Sequence, residues 1–154
     1  MLNQRTITGL VLAPIGIAAV LLLPTGALAA FTSMTVLVAM WEWTRMSGFS
    51  SRPVRSAVVA LVALVLVGLW MLRDHAAIEF LIVAGGIWWI VAFVWLRNFS
   101  FGAAPTRENA ALKLAAGLLA TLPAWVALTK LHGDPRVELV FLPFADGLTL
   151  CLKR

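Results

Sequence analysis

One carboxylate stands where an apolar run should meet water: Glu42, in Val38-Ala39-Met40-Trp41-Glu42-Trp43-Thr44-Arg45. A charge at such a depth costs free energy unless it is paired or wet. Arg45 lies three residues on, on the same helical face, and can pair with it. The simplest chemistry is interfacial, with Trp41 and Trp43 in the aromatic belt and Glu42 and Arg45 at headgroup depth. The sharper alternative is a polar contact with a lipid headgroup or with a catalytic domain packed nearby. Arg52 and Arg55 follow in the next polar stretch and can attract anionic lipid, although chain orientation explains them equally well. No residue declares itself catalytic. Asp146 comes nearest, because an acidic side chain within an apolar segment is a functional candidate by default. His75 and His132 fall in polar connections and read as interfacial residues rather than as ligands or bases. The single Cys151 excludes an internal disulfide and a cysteine-built metal site. The chain also lacks a glycine-rich phosphate loop, His/Cys metal spacing and a nucleophile motif.

The elements that must position these side chains are set by composition. The chain has 154 residues, 62% hydrophobic and only 12% charged, with mean hydropathy +0.96. Soluble proteins are roughly 45–50% apolar and about 25% charged. A soluble core of this length could not hide so much apolar surface, so lipid must be the solvent for much of the chain. Seven Trp and eight Phe with no Tyr suit interfacial indoles. The formal net charge of +5 comes from basic residues scattered between apolar runs. No basic, aromatic-bearing soluble surface can be assembled from them, which excludes nucleic-acid binding.

Apolar runs near residues 7–23, 27–43, 56–72, 78–96 and 114–129 predict an all-α, polytopic integral membrane helix bundle of about five transmembrane helices. Pro14 and Pro123 predict kinks in the first and fifth. Gly9 and Ala13 form a small-xxx-small pair suited to close helix approach, and Pro24-Thr25-Gly26 reads as a tight turn. Arg5, the first run and Ala27-Leu28-Ala29 also imitate a cleavable leader. The run is long for that role, and a second follows at once. Counting Lys and Arg alone, every second connection is rich: Arg5; then Arg45, Arg52 and Arg55; then Arg97, Arg107 and Lys113. That alternation supports five spans and places the N-terminus, the Gly48 hinge and the 97–113 connection in the cytoplasm. Residues 137–154 form a short, atypical tail, apolar but interrupted by Pro143 and too short to span. It reads as a truncated or frameshifted end.

With those residues in place, the chain resembles the N-terminal membrane half of bacterial phosphatidate cytidylyltransferase. Leu2, Arg5, Ile7-Thr8, Val11-Leu12 and Pro14, followed by Leu21-Leu22-Leu23-Pro24, are similar to that family's first helix. Ala39, Trp41-Glu42-Trp43 and Ser47-Gly48-Phe49 are similar to its second-helix ending. Trp88-Trp89-Ile90-Val91 and Leu122-Pro123-Ala124-Trp125 fall where similar phrases occur. The resemblance covers roughly residues 1–135.

The resemblance implies an inner-membrane nucleotidyltransferase that moves a cytidylyl group from CTP to phosphatidate with Mg²⁺, giving CDP-diacylglycerol and pyrophosphate. Its partners would be membrane lipids, phosphatidate above all, and CTP, and the residues allow a homo-oligomer. The departures weigh heavily. The family's Lys-Arg, Lys-Asp, Gly-His-Gly-Gly and Asp-Arg-hydrophobic-Asp phrases are absent, and Lys153-Arg154 is too little to stand for the first. Ala145-Asp146-Gly147 matches only the start of a further family segment. The Mg²⁺ ligands are therefore not expected in this chain, and activity alone is not expected either. The alternative is a non-enzymatic membrane subunit or small permease-like bundle. Pro14 and Pro123 would supply its broken helices, but no charge accompanies them.

Overall fold

The computed structural model describes residues 4–97, 106–135, 137–142 and 148–153. Among these, the chain forms α1 (Gln4–Leu22), α2 (Thr25–Met46), α3 (Arg52–Met71), α4 (Ala77–Arg97) and α5 (Arg107–Gly133), then β1 (Val137–Leu142) and β2 (Leu148–Lys153). Each helix overlies one of the five apolar runs. Helices α2 to α5 are long and apolar enough to cross a bilayer, and Val11–Leu22 of α1 makes a shorter apolar helix. This is a multi-pass helical membrane protein that also carries a small β-hairpin over residues 137–142 and 148–153.

Local chemistry sets the boundaries. Pro24 has no N–H and disfavours helix in the residue before it, so α1 stops and α2 restarts from its carbonyl, which accepts from Leu28 N at 2.9 Å. Helix α2 ends in a Schellman motif: Phe49 N donates to Thr44 O and Gly48 N to Arg45 O, both at 3.1 Å. Gly48 takes the φ of +104° that this ending requires. Helix α3 opens with Ser51 at the cap and Pro53 in the first turn, where a missing N–H costs nothing. His75 Nδ1 accepts from Ala77 N at 3.2 Å at the start of α4. Thr106 Oγ1 accepts from Asn109 N at 3.2 Å, so α5 begins with a hydroxyl cap and runs 27 residues, through Pro123.

The chain divides into two compact units, residues 1–31 with 128–154 and residues 32–127. In the first, Leu28, Ala29, Ala19 and Thr129 are buried. His132 ties three helix ends there. Its Nε2 lies 3.0 Å from Val20 O and its Nδ1 lies 3.1 Å from Thr25 Oγ1. A carbonyl only accepts, so Nε2 carries a proton, and Nδ1 pairs with the Thr25 hydroxyl. The same unit holds the antiparallel hairpin, in register from Val137 opposite Lys153 to Leu142 opposite Leu148. The tail is thus paired strand over these residues, which its apolar content alone does not announce.

In the second unit, α5 packs against α2, α3 and α4. Trp43 of α2 meets Gly117 and Gly85 of α4 meets Pro123, so closely that a β-carbon on either glycine would collide. Trp70 of α3 stands edge-on to Trp125, ring centroids 6.5 Å apart. Met40, Val62, Leu66, Ile78, Trp125 and Val126 are buried here. The outward faces are apolar too: Leu64 is 70% exposed, Phe80 77% and Ile90 68%. Such a surface is stable only against hydrocarbon.

Candidate functional site

The Trp-Glu-Trp phrase lies near the C-terminal end of α2, the negative end of the helix macrodipole. Arg55, from the first turn of α3, is buried at 8% exposure and lies against that negative end. Its Nη2 donates to Trp41 O at 2.7 Å and its Nε to Thr44 Oγ1 at 3.3 Å. The guanidinium carbon lies 4.0 Å from the centre of the Trp41 ring. Thr44, itself buried, turns its hydroxyl proton onto Trp41 O at 2.8 Å. A buried cation is thus held by helix-end carbonyl, hydroxyl and indole face rather than by a carboxylate.

Trp43 points to a different neighbour. Its Nε1 donates to Lys113 O in α5 at 2.8 Å, and the indole lies over Gly117, where a β-carbon would sit 2.6 Å from Cδ1. One turn deeper, Thr121 donates to Gly117 O at 2.8 Å and its oxygen lies 4.0 Å from Met40 Sδ. Between α2, α4 and α5 there remains a cleft of about 360 Å³, lined by Met40, Trp43, Trp88, Trp95, Lys113 and Ala120 among others. Trp88 and Trp95 stack edge to face along its α4 wall, 6.2 Å apart. Among the described residues Lys113 is its only charged lining residue.

The residues singled out in the sequence separate accordingly. Trp41 and Trp43 are half-buried, each engaged by a different helix, while Glu42, Arg45 and Arg52 are exposed. No ion pair joins Glu42 to Arg45 among the described residues; Arg73 Nε pairs with Asp74 Oδ2 at 3.7 Å, on the surface. Asp146 lies outside the described residues. Arg55 is the basic residue that the Trp-Glu-Trp turn takes in. Its sequence signal was its place in the first turn after a glycine hinge. The contact between Trp43 and Gly117 had no signal, since it joins residues far apart in the chain. Among the described residues no group of three or more His, Cys, Asp or Glu could hold a metal ion, so the described side chains do not fit a divalent-cation site.

The comparisons with known proteins agree with one another. A family model described as "Cytidylyltransferase family" matches residues 3–150. A phosphatidate cytidylyltransferase of Pseudomonas aeruginosa is 34% identical over 154 residues, which is 99% of this chain and 52% of that protein. The chain therefore spans about half the length of that relative. No solved structure matches it.

Proposed function

The chain belongs to the cytidylyltransferase family, and from that premise we propose that it serves the transfer of a cytidylyl group from CTP to phosphatidate. In that reaction a phosphate oxygen of the lipid bonds to the α-phosphorus of CTP. The bond from that phosphorus to the bridging oxygen breaks, and pyrophosphate leaves with its electron pair. The product is CDP-diacylglycerol, a phospholipid precursor. The observation that carries the reading is identity along the whole chain, 34% over 154 residues, with a protein named for this activity.

The part this chain plays is that of a membrane body. On the reading proposed here its helices cross the inner membrane near residues 7–23, 27–43, 56–72, 78–96 and 114–129, and residues 137–154 do not. The Lys/Arg alternation supports a cytoplasmic N-terminus, which brings Gly48 and the start of α5 to the side where CTP is dissolved. Phosphoryl-centre chemistry calls for a divalent cation to neutralise developing charge. The described residues offer no donor set for one, so no step is assigned through a metal here. The catalytic phrases of the resembling family are not among these 154 residues, and the polypeptide by itself is expected to be silent.

A chimera tests this. The present chain would replace the matching half of the Pseudomonas aeruginosa relative, and membranes bearing the chimera would receive labelled CTP and phosphatidate. Labelled CDP-diacylglycerol from the chimera, with none from the present chain alone, is the expected result. A chimera that inserts and stays helical but gives no product would leave a non-enzymatic membrane role in its place.

A further inference from the structure

The uncharged stretches of α3, α4 and α5 are each bounded by charge at both ends. Residues 56–72 run from Arg55 to Arg73 and residues 80–96 from Glu79 to Arg97, seventeen positions in each. Residues 114–129 run from Lys113 to Lys130, sixteen positions. At 1.5 Å per residue these stretches are about 24–26 Å long. The hydrocarbon of an ordinary bilayer is about 30 Å thick. Exposed apolar side chains reach to the last uncharged position: Leu72 beside Arg73, Phe80 beside Glu79 and Leu96 beside Arg97.

Short spans are commonly extended by basic side chains that reach outward to the headgroups. Two arginines of this chain do the opposite. The Arg55 guanidinium is buried and bonded to Trp41 O, five residues inside the end of α2 at Met46. Five residues of helix are about 7.5 Å. Past the other end of α3, the Arg73 guanidinium folds back over the ring of Trp70, 4.4 Å from its centre. We propose that these pinned cations set the hydrocarbon that the protein accepts at about 25 Å, so that its lipid partner is a bilayer of short acyl chains. In a thicker bilayer α3 cannot adapt by extending its ends: Arg55 must leave Trp41 and Thr44, or hydrocarbon must close around charge. Tilt relieves spans that are too long and shortens these further. The inference concerns thickness and not headgroup, and it stands whether or not the chain serves nucleotidyl transfer.

Thermal unfolding of the full chain, in vesicles of phosphatidylcholine alone with monounsaturated chains of fourteen to twenty-two carbons, reads this directly. The midpoint should be highest at the short end and fall by about 4 °C or more toward the longest chains, because mismatch is penalised over every ångström. A midpoint independent of chain length, or one highest in the longest chains, overturns the proposal. Arg55→Lys carries an ammonium free to reach outward and should move the best chain length upward. An equal loss at every length would reduce Arg55 to a packing role and also overturn it. Should that variant fail to fold, thiol labelling decides. With Cys151→Ser in place, Val54→Cys and Ala76→Cys lie just outside the charged starts of the α3 and α4 stretches. Both should react with a water-soluble maleimide in the short-chain vesicles, while Val83→Cys, one turn inside Glu79, stays protected. Protection of the outer pair would place hydrocarbon beyond the charges and sink the idea, as would reaction at position 83.

Discussion

Arg55 Nη2 and the carbonyl oxygen of Trp41 are 2.7 Å apart, and this bond ties α2 to a side chain from α3. The guanidinium stands over the ring of the same tryptophan whose carbonyl it binds. Positive charge in the first turn of a helix is ordinarily opposed by that helix's own dipole. Here the C-terminal end of the neighbouring helix offsets the cost.

Removal of Arg55 should therefore destabilise the helix pair well beyond a surface change. A charge-assisted hydrogen bond contributes about 1.5–3 kcal/mol, and the ring contact about 0.5–1 kcal/mol or more when desolvated. Arg55→Ala should lower the thermal midpoint in detergent by several degrees. Arg55→Lys should recover only part of it, since an ammonium cannot bond Trp41 and Thr44 in the same fork. Arg45→Gln, at an exposed position, should stay within about 0.5 kcal/mol of the parent. A larger effect at Arg45 than at Arg55 would contradict the assignment.

Trp43 and Gly117 should behave as one unit. Gly117→Ala places a β-carbon 2.6 Å from the indole Cδ1, an overpacking that costs about 1–3 kcal/mol. Trp43→Phe keeps most of the ring but loses the bond to Lys113 O, worth about 1 kcal/mol. Joined with Trp43→Ala, Gly117→Ala should cost far less than in the parent, and urea unfolding of the four proteins would measure the coupling. Additive effects would mean that the two residues do not touch.

His132 makes a prediction about atoms. Thr25→Ser keeps the hydroxyl on Nδ1 and should be nearly silent, whereas Thr25→Val should cost about 1 kcal/mol. His132→Ala leaves Val20 O without its side-chain donor as well and should cost more than Thr25→Val. Thermal scans in detergent would rank the three.

Orientation is open to a labelling test. With Cys151 replaced by Ser, single cysteines at positions 51 and 106 should react with an impermeant thiol reagent only from the cytoplasmic face. One at position 74 should react only from the other face. Any other pattern would refute the alternation of basic connections as a topology signal.

The apolar runs made the helices legible, because a span of hydrocarbon admits little else. What the runs did not show is where helix continues beyond hydrophobicity. Helix α5 starts seven residues before its run, carrying Arg107, Glu108 and Lys113, since Thr106 caps it there. The tail was harder still. Residues 137–142 are too few to span, and their pairing with 148–153 follows from a partner strand rather than from their own pattern. At the site, spacing joined Glu42 to Arg45 along one helix, while the fold brings in Arg55 across a turn. Local periodicity reports neighbours on one element and is blind to a side chain arriving from the next.

The two tryptophans of the α2 ending also differ in when their partners exist. Arg55 follows Trp41 by 14 residues, so during synthesis the cation meets its carbonyl as soon as the first turn of α3 has emerged. Trp43 must wait for a residue 70 positions later. Chains assemble from the N-terminus as they are made, so α2 and α3 can enter the bilayer as a pair with the arginine already bonded to Trp41 and Thr44. The seat for the second indole is built only when α5 arrives. Biogenesis thus has an early latch and a late one, two residues apart on a single helix.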